Sequence, residues 1–410
     1  MRSSSRAAAA ATPVLVLVGI VLLSFNLRGP LVAVSTVTGD LKAELGMSGT
    51  AVGLLTSLPV LCFGLAAPLA SGVIARTGVE RAVLISLSIL LVGTLVRSLG
   101  TVAAALIGTL VMGLAITVGN VVTPVVIGRD FRHRAAVLTG LYAAAMNIGS
   151  MITLTATGPL AGQFGWQFAL AIWDVLAVIA AAVWWPLVRR RASADRADAR
   201  SGAAAPANGA DGQPAATPGP SLLRRPTTWM LTLAFAGQAF AYYGLTAWLP
   251  TLLADEQWMT RNAAGAASSI FQVAALIGAF ATPLVINRMG GPLPAFVING
   301  VLWASLPLGL LWASELWPLW SALGGTAQGG GFVAVFTVVV YRSRTLRENR
   351  QLSAIIQTGG YTIAALGPAI LGALYDSTGG WSAALLVAFG ATMTLTVLGV
   401  LSARGLGSRR

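Results

Sequence analysis

Arg28 lies near the middle of an apolar segment that runs from Val14 to about Val37. A guanidinium group stays protonated, so burying it requires an anion, a polar cavity or water. Asn26 precedes Arg28 by two residues, and Pro30 follows it by two, where the missing N–H disturbs a regular helix. Arg28 and Asn26 are therefore our first candidates for a site that binds an anionic or polar ligand. The alternative is that Arg28 donates to backbone carbonyls freed near Pro30.

Other polar side chains recur at helical spacing in later apolar segments. Gln238 and Tyr242 lie four residues apart, and Gln357 and Tyr361 repeat that spacing, so each pair shares one helix face. Each of these groups could instead join neighbouring helices by hydrogen bonds. One arginine, several amides and aromatic rings suit a small planar anion or nitrogen heterocycle. The remaining candidates for the lining are Asn120, Asn147 and Tyr243.

Two more ionisable residues, Arg97 and Asp174, lie inside apolar segments. Counted from the same membrane face at about 1.5 Å per residue, both reach a depth of roughly 21 Å. We therefore predict that Arg97 and Asp174 form a structural ion pair. The functional alternative is that Asp174 takes up and releases protons or pairs with Arg28.

Several kinds of chemistry find no support in the sequence. The single histidine, His133, stands in a basic loop, and the single cysteine, Cys62, in an apolar run, which excludes an intramolecular disulfide. There is no spacing typical of metal ligands and no phosphate-binding Gly-Lys-Ser motif. We expect no enzymatic activity, metal ion, cofactor or nucleic-acid partner.

Composition indicates which elements must hold these residues. Of the 410 residues, 56% are hydrophobic and 10% are charged, whereas soluble domains have about 25% charged residues. An apolar run of about 20 residues crosses a bilayer as a helix. We therefore predict an all-α integral membrane protein with twelve transmembrane helices. Their approximate bounds are 14–37, 50–74, 82–100, 103–127, 136–159, 167–188, 228–252, 263–286, 294–313, 317–340, 352–374 and 382–403.

The distribution of basic residues orients these spans. If both termini are cytoplasmic, the inside segments hold most of the 26 Lys and Arg residues, as the positive-inside rule requires. Only Lys42 and Arg261 fall outside, and Arg28 and Arg97 fall within spans. This pattern favours a multi-pass protein of the bacterial inner membrane with both ends in the cytoplasm.

The chain divides into two six-helix halves, 1–188 and 226–410. Between them, 189–225 is rich in Ala, Pro, Gly and Asp and reads as a disordered cytoplasmic linker. The halves share weak motifs in the same order along the chain. For example, Arg76-Thr77-Gly78 corresponds to Arg288-Met289-Gly290, and Gly158-Pro159 corresponds to Gly367-Pro368. Such parallel repeats indicate an internal duplication.

Short motifs in the first hundred residues resemble those of a known family. They are Asn26-Leu27-Arg28 with Pro30, the stretch 54–64, the loop 76–81 and the stretch 95–100. On these motifs the sequence resembles the major facilitator superfamily and, within it, the cyanate and nitroimidazole permeases (the CynX/NimT family). The usual superfamily loop motif has Asp where this chain has Ala75, so the charge contacts there are weakened or built from other residues.

The resemblance implies a secondary active transporter that moves a small anionic or polar planar organic solute, cyanate-like or nitroimidazole-like, by alternating access. The solute site would lie between the halves, near the membrane midplane. We expect a monomer in the lipid bilayer, with proton coupling as one possibility and the coupling ion left open. The alternatives are a proton-driven multidrug efflux transporter that uses Asp174, and a membrane sensor without transport activity.

Overall fold

A computed structural model describes residues 2–131, 135–200, 220–343 and 346–405, and within them the chain is helical without β-strands. Its first part begins with long apolar helices and one short surface helix. The helices of this N-terminal half are α1 (Arg2–Val32), α2 (Thr38–Leu45), α3 (Gly49–Leu65), α4 (Ala67–Thr77), α5 (Val79–Arg97), α6 (Val102–Asp130), α7 (Ala135–Phe164), α8 (Trp166–Ala171) and α9 (Asp174–Arg200).

The C-terminal half repeats the arrangement of long helices. Its helices are α10 (Pro220–Leu223), α11 (Pro226–Glu256), α12 (Arg261–Arg288), α13 (Pro292–Trp312), α14 (Trp317–Arg342), α15 (Leu346–Ala364), α16 (Leu366–Thr378) and α17 (Ser382–Ala403).

Twelve spans follow from these elements. Among the described residues, nine helical segments are long and apolar enough to cross a membrane, and the bent pair α3 and α4 makes a tenth. The other two spans are α7 and α11, with 30 and 31 residues. Each is long enough to cross a bilayer, and they bear polar groups such as Asn147 and Gln238. The predicted all-α, twelve-helix membrane fold is confirmed. Because twelve crossings return the chain to its starting side, we call that side the terminal side and the other the distal side.

Several spans are broken where the sequence predicted continuous helices. The first span passes from α1 into a 3₁₀ turn at Ala33–Thr36. The second bends by 62° between α3 and α4, just before Pro68, whose ring cannot continue a regular helix. The sixth is interrupted between α8 and α9, and the eleventh between α15 and α16. Breaks in a membrane helix are stable only where neighbours satisfy the freed backbone groups.

Part of the predicted linker is helical. Helix α9 continues to Arg200 and α10 begins at Pro220, so 189–200 and 220–223 differ from the predicted disordered linker. Alanine and arginine favour the helix, and the membrane span already supplies its nucleus. The rest of the linker, 201–219, and the loop residue His133 lie outside the described residues.

The loop between α4 and α5 obtains its charge contacts from a different acid than the superfamily motif would supply. Glu80, in the first turn of α5, pairs with Arg129 at 2.7 Å, and Arg129 also binds Asp130 at 2.6 Å. These contacts tie α5 to the end of α6. Ala75 is therefore compensated by Glu80.

The halves meet mainly on the distal side and at mid-depth. Helices α15 and α16 pack on α3, α12 packs on α7, and α11 contacts Ala33–Thr36. A Cβ added at Gly53 would lie 2.4 Å from the carbonyl oxygen of Pro368, so glycine permits direct backbone contact there. In contrast, α4 on the terminal side packs against α5 and α6 of its own half. The described structure is therefore closed on the distal side.

Candidate substrate-binding site

Close contact between α1 and α7 holds Arg28 beside α7, where it also reaches Tyr242 of the other half. A Cβ at Gly29 would lie 2.7 Å from Thr153 Oγ1, and a Cβ at Gly149 would lie 2.9 Å from Phe25 Cα. Glycine at both positions removes the atoms that would hold the helices apart. Gly29, between Arg28 and Pro30, therefore serves as a packing position.

Arg28 is bound by a neutral amide. Its Nη1 donates a 2.9 Å hydrogen bond to Asn147 Oδ1, and Asn147 is oriented in turn by donating from Nδ2 to the Ala143 carbonyl at 2.9 Å. The guanidinium carbon lies 5.1 Å from the ring centroid of Tyr242, which is a cation–π contact across the two halves. Within the described residues, no carboxylate forms a salt bridge with Arg28.

The rest of the guanidinium remains available. The Nε and Nη2 atoms of Arg28 donate to no described residue, and neither is sealed from accessible space. The side chain as a whole is half-buried. Arg28 thus presents the free part of a planar donor fork, which matches carboxylate, nitro and similar planar acceptors.

Aromatic rings from both halves form a wall beside this fork. Tyr243 and Tyr361 lie edge to face with centroids 6.4 Å apart, and Phe63 of the N-terminal half lies 6.4 Å from Tyr243 and 5.9 Å from Tyr361. Tyr242 packs edge-on against Tyr243 at 4.8 Å. We call Phe63, Tyr242, Tyr243 and Tyr361 the aromatic wall. In the described residues the hydroxyls of Tyr243 and Tyr361 make no hydrogen bond, yet neither is sealed from accessible space.

Two predicted lining residues remain beside the wall. Gln357 is half-buried one turn from Tyr361 on α15, and its amide has no hydrogen-bond partner among the described residues. Asn120 accepts a 2.9 Å hydrogen bond from the hydroxyl of Tyr142. Tyr142 and Arg28 are within electrostatic reach of each other.

Asn26 and Gln238 do not line this site, which corrects the sequence-based prediction for both. Asn26 is 1% exposed and donates to the Leu22 carbonyl of its own helix at 2.8 Å. It lies two residues from Arg28, about 200° around the helix, so it points away. Gln238 is 3% exposed, donates to the Gln328 carbonyl and accepts from Trp303 Nε1, both at 2.7 Å. Both ends of that amide join helices of the C-terminal half.

The predicted Arg97–Asp174 ion pair is not formed as a salt bridge. Arg97 Nη1 donates instead to the Pro30 carbonyl at 2.8 Å, and no Arg97–Asp174 pair occurs among the described salt bridges. The two side chains do interact electrostatically at longer range. Similar depth was a sound criterion for proximity, but it does not determine which acceptor the guanidinium reaches.

The sequence analysis missed three lining residues. Gln272 on α12 accepts from the Tyr242 hydroxyl at 3.3 Å and donates to Thr246 Oγ1 at 3.3 Å, which fixes the Tyr242 ring. Phe63 and Tyr142 complete the surroundings of Arg28. A search for amides on the eighth span would have found Gln272. In the described part of the chain, no cluster of His, Cys, Asp and Glu could hold a metal ion.

Comparison with known proteins agrees with this architecture. The family model described as Major Facilitator Superfamily matches residues 14–291. An uncharacterized transporter YycB of Bacillus subtilis (strain 168) is 31% identical over 93% of this chain and 91% of its own. The 2-nitroimidazole transporter of Escherichia coli (strain K12) is 26% identical over 95% and 96%, respectively. The cyanate transport protein CynX of the same organism is 27% identical over 88% and 90%.

Solved structures show the same fold at much lower sequence identity. The nucleoside transporter NupG superposes with a TM-score of 0.73 at 15% identity, covering 94% of this chain and 99% of NupG. The xylose transporter XylE of E. coli, in a partially occluded inward-open conformation, superposes with a TM-score of 0.66 at 11% identity, covering 95% and 97%. Twelve spans in two halves, a central arginine and these matches lead to one conclusion: the chain belongs to the Major Facilitator Superfamily and is a multi-pass membrane transporter of small molecules.

Proposed function

We propose that this transporter carries a small planar solute that is anionic or rich in hydrogen-bond acceptors, and that Arg28 binds its charged or nitro-bearing end. The observation that supports this most is the partner of Arg28, a neutral amide at 2.9 Å. A half-buried cation that has no carboxylate partner among the described residues favours an anion that supplies the opposite charge. The ligand itself would complete the electrostatics of the site.

The aromatic wall supports a flat solute. Phenol and phenyl rings offer stacking faces, and the open hydroxyls of Tyr243 and Tyr361 and the free amide of Gln357 offer hydrogen bonds. Two relatives are named for cyanate and for 2-nitroimidazole, and both of these solutes are small, acceptor-rich molecules of the proposed kind.

Alternating access provides the proposed mechanism. Residues 1–188 would rock against 226–410, exposing the Arg28 site first on one side of the membrane and then on the other. We place the protein in the bacterial inner membrane as a monomer with both termini in the cytoplasm. In that orientation the described conformation, closed on the distal side, faces inward.

Proton-driven efflux of neutral drugs has less support. It needs a titratable carboxylate at the solute, and among the described acidic residues none forms a salt bridge with Arg28. Asp174 instead stands in the first turn of α9, near Arg97. Uptake with and without a pH gradient tests whether transport is coupled to protons, and Asp174 is the candidate proton carrier.

The proposal is tested by uptake of cyanate, 2-nitroimidazole and benzoate into proteoliposomes, with and without a pH gradient. For a solute that is carried, Arg28→Ala should reduce the initial rate at low solute concentration at least tenfold, which corresponds to about 1.4 kcal/mol. Arg28→Lys should retain part of the rate, because it keeps the charge but loses the planar fork. The matched control is Arg224→Ala, an exposed arginine between α10 and α11. Unchanged transport by Arg28→Ala would refute the assignment of the site.

A further inference from the structure

Arg97 is a buried cation with an unexpected hydrogen-bond partner. The side chain is 1% exposed, and its single hydrogen bond within the described structure goes from Nη1 to the carbonyl oxygen of Pro30 at 2.8 Å. Its Nε and Nη2 atoms are buried without a partner. An arginine held in this way needs a reason, because unpaired buried donors are costly.

The acceptor lies at the end of α1, two residues after Arg28. Helix α1 stops at Val32 and continues as the 3₁₀ turn Ala33–Thr36. The last carbonyls of a helix carry a partial negative charge and lack partners within the helix, so a cation there is favourable. Hydroxyl groups satisfy others at this break, with Ser35 Oγ donating to the Val32 carbonyl at 2.6 Å.

Arg97 is itself held rigidly. A Cβ added at Gly108 of α6 would lie 2.3 Å from the backbone nitrogen of Arg97, so the backbones of α5 and α6 touch at this point. Met112 and Gly93 repeat the close contact one turn away, since a Cβ at Gly93 would lie 2.7 Å from Met112 N. The guanidinium therefore extends from a tightly packed helix pair to the broken end of α1.

We propose that Arg97 is a positioning residue for Arg28, acting through the Pro30 carbonyl to fix the broken end of α1. This inference rests on the proposed function only for the ligand that Arg28 binds. The Oδ2 atom of Asp174 is also buried without a partner among the described residues. Its long-range attraction offsets part of the free-energy cost of burying the Arg97 cation. Arg97 itself lies outside the solute site.

The first test needs no ligand. Hydrogen exchange of purified protein reports the opening of individual segments, and the segment 28–36 should lose protection in Arg97→Met, which cannot donate to Pro30. Arg97→Lys should preserve the protection, because one N–H donor and the charge remain. The control is Thr109→Val in the same half. It removes a buried hydroxyl that has no hydrogen-bond partner among the described residues, and it should leave the protection of 28–36 unchanged.

The second test measures benzoate binding by the shift in melting temperature, since a ligand that binds only the folded state stabilises it by RT ln(1 + [L]/Kd). Arg97→Met should weaken benzoate binding at least fivefold, while Arg97→Lys and Thr109→Val stay within twofold of the wild type. Unchanged exchange at 28–36 in Arg97→Met would overturn the inference. So would a loss of protection spread over α5 and α6, because Arg97 would then stabilise the whole half. If Arg28→Ala binds benzoate normally, the proposed function fails, whereas the exchange result still decides the role of Arg97.

Discussion

At the scale of single residues, the proposed site rests on Arg28 having no carboxylate partner among the described residues. Asn147 gives Arg28 an oxygen acceptor without neutralising it, and Tyr242 adds a ring face that prefers a cation. An aspartate in place of Asn147 would make the same hydrogen bond but would also form a salt bridge. The amide nitrogen of Asn147, in place of a carboxylate oxygen, therefore leaves the charge of Arg28 to be balanced by a bound anion.

Replacing Asn147 by Asp should abolish anion binding without unfolding the protein. The new carboxylate would neutralise Arg28 in place of the ligand, so the dissociation constant for a carried anion should rise more than about tenfold. The melting temperature of the ligand-free protein should stay the same or rise. The measurement is a thermal-shift titration with benzoate, and Asn287→Asp, at an exposed position on α12, is the matched control. Equal loss of binding in both variants would argue against a specific role for Asn147.

At the scale of elements, glycines determine how closely the helices that carry the site approach each other. Gly149 lets α7 reach the backbone of α1 at Phe25. On α7, Gly149 lies two residues after Asn147, which binds Arg28. Gly162, on the same helix, is exposed, and a Cβ added there would have no neighbouring atom within 4 Å. A Gly-to-Ala change therefore tests helix packing at Gly149 and helix propensity alone at Gly162.

The substitution Gly149→Ala should lower the melting temperature and weaken solute binding. An added methyl would lie 2.9 Å from Phe25 Cα, so α1 and α7 must move apart, and overpacking of this kind costs about 1–3 kcal/mol. Gly162→Ala should be neutral or stabilising, because alanine is the better helix former by up to about 1 kcal/mol. Both variants are compared by thermal unfolding in detergent. A Gly149→Ala protein as stable as the wild type would show that this contact tolerates a methyl group.

At the scale of the whole molecule, ion pairs across the halves hold the distal side closed. Lys42, the chain's single lysine, pairs with Asp376 at 3.4 Å and lies over the rings of Trp248 and Tyr375 at 5.5 and 4.9 Å. Arg261 pairs with Asp40 across the same gap. Burial raises the pKa of the Asp40 carboxyl despite the opposing effect of Arg261. These contacts must all break when the distal side opens.

Disrupting the pair of Lys42 and Asp376 should shift the population toward states open on the distal side. Exposed pairs contribute up to about 1 kcal/mol and a cation–π contact about 0.5–1 kcal/mol, so Lys42→Asp should change the ratio of states several-fold. The double variant Lys42→Asp with Asp376→Lys restores opposite charges and should recover the closed state in part.

The readout is the distance between spin labels at Ala43→Cys and Glu256→Cys, two exposed positions on the distal side, in a background with Cys62→Ala. The label distance should lengthen in Lys42→Asp and shorten again in the charge-swapped variant. A distance that stays at the wild-type value in Lys42→Asp would mean that backbone contacts such as Gly53 with Pro368 suffice to keep this side closed.

The sequence by itself determined the class of the protein and its twelve spans, and it predicted that Arg28 binds the solute. Apolar length sets the number of membrane crossings, and a charge in an apolar run is too costly to lack a purpose. Only the tertiary structure decided that Asn147 binds Arg28, that Arg97 reaches Pro30 rather than Asp174, and that Gln238 joins helices instead of facing the solute. Helical spacing gives the direction of a side chain relative to its own helix axis. The neighbour in that direction depends on the rotation and close packing of other helices, which glycine contacts between distant segments determine.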